Sequence, residues 1–210
     1  MNRDQLKLYL VTDRQIAGDC DIMDVVADAV RGGVTMVQLR EKHIDTREFV
    51  ALASEMKKTL APFGVPLIIN DRVDVALCSA ADGVHIGQRD MPYEMARRLL
   101  GPDRIIGLSV ENFAQIEQAN AWDVDYIAVS PVFSTLTKTD TAPAFGVEGL
   151  RQAAGMSVHP VVGIGGINEN TAAEVISAGA DGIAVVSAIV GAASPQSAAR
   201  RLKNIICGAK

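Results

Sequence analysis

Gln38-Leu39-Arg40-Glu41-Lys42 is the stretch whose residue types and spacing speak most directly of chemistry. It follows Val34-Thr35-Met36-Val37, an apolar, β-rich run. Side chains in a strand alternate between faces, so Gln38, Arg40 and Lys42 share one face while Val37 and Leu39 share the other. If the apolar face is packed, the opposite face ends in an amide and two cations. Like charges so close are unfavourable unless an anion sits between them, and a phosphate-bearing ligand is the first expectation. An ordinary exposed edge strand is the alternative.

Further candidates follow other apolar runs. Asp71 and Asp90 could bring two carboxylates together beside those cations. Two carboxylates next to a phosphate suggest Mg²⁺, a hard ion that takes oxygen ligands and shares them with diphosphate. The competing reading makes Asp71 the cap of a helix beginning near Val73 and Asp90 the cap of one beginning at Pro92. Gly163-Ile164-Gly165-Gly166-Ile167-Asn168 has the form of a phosphate cradle, in which glycines let backbone N–H groups approach an anion. Turn glycines alone are the alternative there. Ser187 can add a hydroxyl and another N–H. The segment 130–146 is long and hydroxyl-rich and carries a single cation, Lys138. Loops of that length are lids, binding loops or disordered segments, and Thr135, Thr137 and Lys138 could close over a second anion. The histidines suggest no acid–base pair: His85 reads as a hydrogen-bonded core residue, His159 lies before Pro160 on the floor side, and His43 has no nucleophile beside it.

The elements that must position these residues alternate from end to end. Strands are predicted over 6–12, 35–40, 67–70, 83–86, 105–109, 126–130, 161–164 and 182–186. Helices are predicted over 22–31, 46–60, 73–80, 93–100, 113–120, 147–154, 169–178 and 197–206. The helix over 46–60 shows its period in Phe49, Leu52, Ala53, Met56 and Leu60, with Asp45 as N-cap and Gly64 closing the segment. The alternation predicts a parallel sheet closed into a (β/α)₈ TIM barrel, a single catalytic domain over 1–210. A doubly wound open sheet is the alternative. Ala81-Asp82-Gly83 and Ala180-Asp181-Gly182 echo each other, with Gly32-Gly33-Val34 as a weaker copy, and read as stability features of the barrel floor. In such barrels chemistry sits at the C-terminal strand ends, which is where Arg40, Lys42, Asn70, Asp71, Gln88, Asp90, Ser109, the 130–146 loop, the glycine run and Ser187 all fall.

Composition sets the outer bounds. The chain has 210 residues, enough for one well-buried domain or at most two small ones. Its 49% apolar and 4% aromatic content predicts a core of Val, Ile, Ala and Leu. A net charge of −5 gives no support for nucleic acid or a basic membrane patch. No apolar run approaches the roughly 18–20 residues that span a bilayer, and the first residues lack a signal-peptide pattern. Cys20, Cys78 and Cys207 read as reduced, core-type cysteines of a cytoplasmic protein, without disulfide or metal roles.

Taken together, the motifs resemble the thiamine-phosphate synthase (thiamine-phosphate pyrophosphorylase) family nearly end to end. The resemblance rests on Tyr9-Leu10-Val11-Thr12-Asp13, Val37 to Lys42, Ile69-Asn70-Asp71-Arg72, and Gly83 to Gln88 with Asp90. It continues through Gly107-Leu108-Ser109, Ser130 to Phe133, Thr135 to Lys138, Gly163 to Ile167 and Val185 to Ile189. It implies a barrel that condenses hydroxymethylpyrimidine diphosphate with a thiazole phosphate, or its carboxylated form, to give thiamine phosphate and diphosphate. By resemblance, Gln38, Leu39, Arg40, Glu41, Lys42, Asn70, Ser109 and Lys138 would bind the pyrimidine diphosphate. Arg40, Lys42, Lys138 and Ser109 would be the catalytic set, and Asp71 and Asp90 would hold Mg²⁺. Thr135, Leu136, Thr137, Gly166, Val186 and Ser187 would bind the thiazole phosphate.

The implied reaction is dissociative, and stabilising the departing charge matters more than a strong base. Glu111 departs from the histidine that many relatives carry two residues after the Gly-x-Ser serine. A related thiazole tautomerase uses that histidine, and Glu111 with an intact Thr-x-Thr-Lys loop argues against it. A tautomerase-like isomerase and a non-catalytic sensor of thiamine precursors are the alternatives. Small phosphorylated molecules are the expected partners, and homo-oligomerisation is left open.

Overall fold

Short runs of Leu, Val and Ile, too brief for a helical period and bounded by Gly, Asp and Pro, form strands buried on both faces. The structure, a computed structural model, describes residues 1–135 and 143–209. The strands are β1 (Leu8–Val11), β2 (Met36–Leu39), β3 (Leu67–Asn70), β4 (Gly83–Ile86), β5 (Ile105–Val110), β6 (Tyr126–Val129), β7 (Val161–Ile164) and β8 (Gly182–Val185). All pair in parallel in chain order, and β8 returns to β1 with Tyr9 opposite Ala184. The barrel is closed, so the open-sheet alternative falls.

Alternation along the strands sorts two cores. Leu8, Leu10, Val37, Leu39, Leu67 and Ile69 face outward and join the helices. Tyr9, Val11, Met36, Ile68, Tyr126 and Val162 fill the barrel interior. The main outer helices are α2 (Ile22–Arg31), α3 (Thr46–Leu60), α5 (Tyr93–Leu100), α7 (Gly146–Met156) and α10 (Pro195–Gly208). In α3 the predicted stripe is buried through Phe49, Ala53, Met56 and Leu60, and Asp45 caps it by accepting from the Glu48 N–H at 2.9 Å.

Several helix boundaries differ from expectation. The four-residue helices α1 (Arg14–Ala17) and α9 (Ser187–Val190) follow β1 and β8; they are too short for a period to be legible. α4 (Val73–Cys78) stops before Ala80, which adopts φ 54°. α6 (Phe113–Ala119) holds nearly as predicted. α8 spans Ala172–Ser177 and not 169–178, because Asn168 to Thr171 form a turn in which Asn168 Oδ1 accepts from the Asn170 N–H at 2.9 Å. Cys20, Cys78 and Cys207 are exposed, not the core residues expected.

The barrel floor repeats one device four times. Thr35, Asp82, Asp125 and Asp181 each precede an even-numbered strand. Each side chain accepts a backbone N–H at the start of the preceding odd strand: Leu8 (2.9 Å), Leu67 (2.7 Å), Ile106 (2.9 Å) and Val161 (2.9 Å). Lys57, Arg97 and Arg3 pair with the three aspartates in turn. The glycine after two of them is required by close approach: a Cβ at Gly83 would lie 2.0 Å from the Ile105 carbonyl oxygen, and at Gly182 1.8 Å from that of Leu6. This is the floor role expected of the Ala-Asp-Gly echo.

Asp82→Ala is expected to leave the Leu67 N–H unpaired, a cost of about 1–3 kcal/mol. In a chain of this size that lowers the unfolding midpoint by roughly 2–10 °C, with turnover per folded molecule unchanged. Thermal unfolding checks it, and an unchanged midpoint would remove the floor contacts from the account of stability.

Candidate active site

The strand ends open on a cavity of about 590 Å³ at the C-terminal mouth. β2 and the residues after it contribute Gln38, Arg40 and Lys42, as their shared face predicts. β3 brings Asn70 and Asp71, the segment after β4 brings Asp90, and β5 brings Ser109. Thr135, Gly166, Val186 and Ser187 line the other side. Two members of the predicted set turn away. Leu39 is fully buried in the outer core, and Glu41 is paired with Arg14 Nε at 2.7 Å. Leu136, Thr137 and Lys138 lie outside the described residues, within the expected lid.

The cations at the end of β2 are already paired. Arg40 Nη1 lies 3.1 Å from Asp13 Oδ2, and Lys42 Nζ lies 2.5 Å from Asp71 Oδ2. Each cation thus has its own carboxylate, so Arg40 and Lys42 do not require the ligand anion expected between them from the strand alone. Parallel neighbours end side by side, so β1 and β3 set their own carboxylates next to the cations of β2. Among the described residues lining the cavity, Arg40, Lys42 and Arg89 stand with Asp71, Asp90 and Glu111, and the Asp13 carboxylate lies beside Arg40. Asp13 was not among the predicted residues; its place directly after β1 was the available signal.

Asp71 and Asp90 do not cap helices. α4 and α5 begin at Val73 and Tyr93 with no side-chain cap hydrogen bond. Asp71 adopts φ 61°, a left-handed conformation that Asp tolerates better than most residues. Asp90 Oδ2 accepts from the Gly87 N–H at 2.7 Å. The two carboxyls also come close enough to share a proton.

Burial pushes the Asp71 carboxyl up, but hydrogen bonds from Lys42 and Asp90 and the Lys42 charge outweigh it, and the net shift is downward. Burial and the neighbouring Asp71 raise Asp90, against the pull of the Gly87 N–H. Two carboxylates so close, with Lys42 balancing one of them, form a donor set of the kind a hard cation takes. Mg²⁺ takes one or two protein carboxylates and completes its shell with substrate phosphate and water, so this pair is the donor set to consider for it.

The glycine run has a specific structural reason. Gly165 and Gly166 adopt φ 99° and 66°. A Cβ would come within 2.6 Å of Pro131 Cβ at the first and 2.7 Å of Phe133 Cβ at the second. The loop after β7 is thus packed against the 130–135 segment, and both line the mouth. The helix expected just beyond begins only at Ala172, past the Asn168 turn. Ser187 instead opens α9 directly. A second, more open cavity of about 630 Å³ adjoins the first and shares Thr135, Gly166, Ile167 and Ser187 with it.

Beneath the mouth lies a polar interior that the sequence reading largely passed over. His85 is a core residue as expected, and its Nε2 lies 2.8 Å from Ser109 Oγ. Tyr9 and Tyr126, assigned no role, sit behind it with their hydroxyls 2.9 Å apart. A phenol on the inward face of an otherwise apolar strand was the signal.

A family model described as thiamine monophosphate synthase matches residues 8–189. The thiamine-phosphate synthase of Albidiferax ferrireducens is 55% identical over 201 residues, covering 96% of this chain and 92% of that protein. That of Vibrio parahaemolyticus is 50% identical, covering 95% and 98%. The solved thiamine phosphate pyrophosphorylase of Pyrococcus furiosus superposes with a TM-score of 0.91 at 38% identity, over 99% of this chain and 98% of that one.

Proposed function

The chain belongs to the thiamine monophosphate synthase family, and from that premise we propose that it condenses hydroxymethylpyrimidine diphosphate with a thiazole phosphate in a Mg²⁺-assisted reaction. The products are thiamine phosphate and diphosphate. The observation that carries this reading is the pair of adjoining cavities at one mouth, sharing Thr135, Gly166 and Ser187. One is rimmed by the charged ends of β2 to β5 and the other by hydroxyls, the amides of Gln15 and Asn168, a glycine and the Asp13 carboxylate, which is paired with Arg40; the hydroxyls, amides and glycine suit a second anionic substrate beside the first.

The bond between the pyrimidine methylene carbon and the diphosphate oxygen breaks, both electrons leaving with diphosphate. The thiazole nitrogen then gives its lone pair to the methylene carbon. Arg40, Lys42 and Lys138 offset the charge developing on the diphosphate, in a mouth where fixed donors act more strongly than in water. Ser109 donates to the same group, while Gln38 and Asn70 hold the pyrimidine in line. Leu39 and Glu41, whose side chains point away, contribute backbone atoms only. Thr135, Leu136, Thr137, Gly166, Val186 and Ser187 hold the thiazole phosphate. Asp71 and Asp90 would hold Mg²⁺, which when bound supplies further positive charge to the leaving group. Small phosphorylated molecules are the proposed partners and the cytoplasm the proposed location; among the described residues no helix is long and apolar enough to cross a membrane.

The relatives' names do not favour the isomerase or the non-catalytic sensor. The test is direct. Purified protein, both precursors and Mg²⁺ are expected to yield thiamine phosphate and diphosphate in equal amounts by chromatography. Formation of neither would overturn the reading.

A further inference from the structure

A line of polar groups crosses the barrel interior without a break. Gln38 Nε2 donates to Tyr9 Oη at 2.8 Å. Tyr9 Oη and Tyr126 Oη are 2.9 Å apart. Tyr126 Oη lies 3.0 Å from His85 Nδ1, and His85 Nε2 lies 2.8 Å from Ser109 Oγ. Tyr9 and Tyr126 are at most 1% exposed. The sequence makes deliberate room for this line: a Cβ at Gly107 would lie 2.1 Å from Tyr126 Cζ and 2.3 Å from its hydroxyl oxygen. The Tyr126 ring stacks on His85 at 5.6 Å between centroids and meets Tyr9 edge-on at 5.9 Å.

Proton counting gives the line a direction. A phenol has one proton to donate, and buried polar groups keep theirs in hydrogen bonds. Tyr9 receives from Gln38, so its proton goes to Tyr126. Tyr126 then donates to His85 Nδ1. The neutral imidazole so defined carries its proton on Nε2 and donates to Ser109 Oγ, leaving the serine proton for an acceptor in the cavity, which Ser109 lines. Burial pushes the Tyr9 hydroxyl well up, beyond what hydrogen bonds with Tyr126 and Gln38 pull down. Burial and then the charge and hydrogen bond of Tyr9 raise Tyr126. Both phenols therefore stay protonated at any working pH.

We propose that Tyr9, Tyr126 and His85 are positioning residues: a one-way hydrogen-bonded chain that fixes the His85 tautomer and aims the Ser109 hydroxyl proton at the anionic leaving group. The identity of that anion as diphosphate rests on the synthase reading; the direction of the chain does not. The device is distinct from a base, since no proton leaves the chain. Its effect is to pre-orient one donor toward charge that develops in the transition state.

Two measurements test it. The first is ¹⁵N NMR of the substrate-free protein labelled at its three histidines, with His85 assigned by its loss in His85→Gln. The expected spectrum has Nε2 of His85 protonated and Nδ1 bare and accepting, and Tyr126→Phe is expected to abolish the accepting signature. A protonated Nδ1 in the native protein, as the other tautomer or as imidazolium, overturns the proposal. The second is kinetic. Tyr126→Phe, with Tyr9→Phe as the milder break, is expected to lower kcat by about tenfold while KM for the pyrimidine diphosphate stays within about twofold, the mark of an interaction made in the transition state. Ser109→Ala combined with Tyr126→Phe is expected to be no slower than Ser109→Ala alone, because the chain acts through that hydroxyl. Losses that multiply would overturn the proposal. A native protein with no synthase activity would overturn the functional reading instead, and the NMR result would still decide the direction of the chain.

Discussion

Removing divalent metal with a chelator is expected to lower kcat for thiamine phosphate formation by about a thousandfold or more, the rate equivalent of several kcal/mol of charge stabilisation. Among the described residues the charged groups lining the cavity are Arg40, Lys42 and Arg89 with Asp71, Asp90 and Glu111, and Asp13 pairs with Arg40. A diphosphate entering such a rim gains little net attraction from the described side chains. Asp71→Asn separates the explanations cleanly. It makes the rim more positive, so if attraction to the protein's own charges were what mattered, binding and turnover would improve. If the carboxylates serve a metal, the variant is expected to lose kcat and to need far more Mg²⁺. Initial rates across a Mg²⁺ titration decide between them, and a faster Asp71→Asn variant, or indifference to chelation, would sink the metal assignment.

The pH dependence follows from the same pair. Asp90 is raised and Asp71 lowered, so on acidification the pair takes up its first proton near the raised value, and the two titrate as a unit. A protonated carboxyl is a poor ligand. The Mg²⁺ concentration for half-maximal rate is therefore expected to rise as pH falls through the Asp90 range. Saturating Mg²⁺ is expected to move the acid limb to lower pH. A limb that ignores Mg²⁺ would belong to another group.

What the sequence made legible was local. The central residues of every strand, and α3 with its cap and apolar stripe, follow from periodicity and turn residues within one window. The strand alternation that placed Gln38, Arg40 and Lys42 on one face was sound, and it also put Leu39 on the other. Carrying the whole 38–42 run into the site set that parity aside. The less legible features depend on lateral neighbours. Asp13 meets Arg40 only because β1 and β2 end level, and Asp71 meets Lys42 because β3 ends beside them. Tyr9 and Tyr126 are 117 residues apart in sequence and touch across the closed interior. An unpaired cation cluster is a fair reading of one strand and a wrong one of three. The aspartates at 71 and 90 looked like caps because the residues after them begin helices, yet their side chains turn to each other, and to Lys42 and the Gly87 N–H.

Arg40→Ala is expected to lower kcat/KM by about 10²–10³, the scale of losing one charge-assisted donor from a pre-organised site. The geometry predicts that Arg40→Lys recovers little. Arg40 Nη1 is committed to Asp13 at 3.1 Å, and the rest of its planar fork remains for an anion, a division that a single ammonium on a flexible stem cannot reproduce. Asp13→Asn isolates the partner's contribution. The Asp13 carboxylate also caps α1, accepting from the Gln15 and Ile16 N–H groups at 3.0 and 3.2 Å, and Asn caps about as well as Asp. The substitution therefore removes the charge facing Arg40 while keeping the local fold. If Asp13 serves to aim the guanidinium, Asp13→Asn is expected to cost about tenfold in kcat/KM with thermal stability unchanged, and to have no effect in the Arg40→Ala background. If Asp13 merely dilutes the positive charge, the same variant binds the diphosphate substrate more tightly. Steady-state kinetics of the two single variants and the double variant separate these outcomes, and tighter binding in Asp13→Asn would remove Asp13 from the positioning of the leaving-group site.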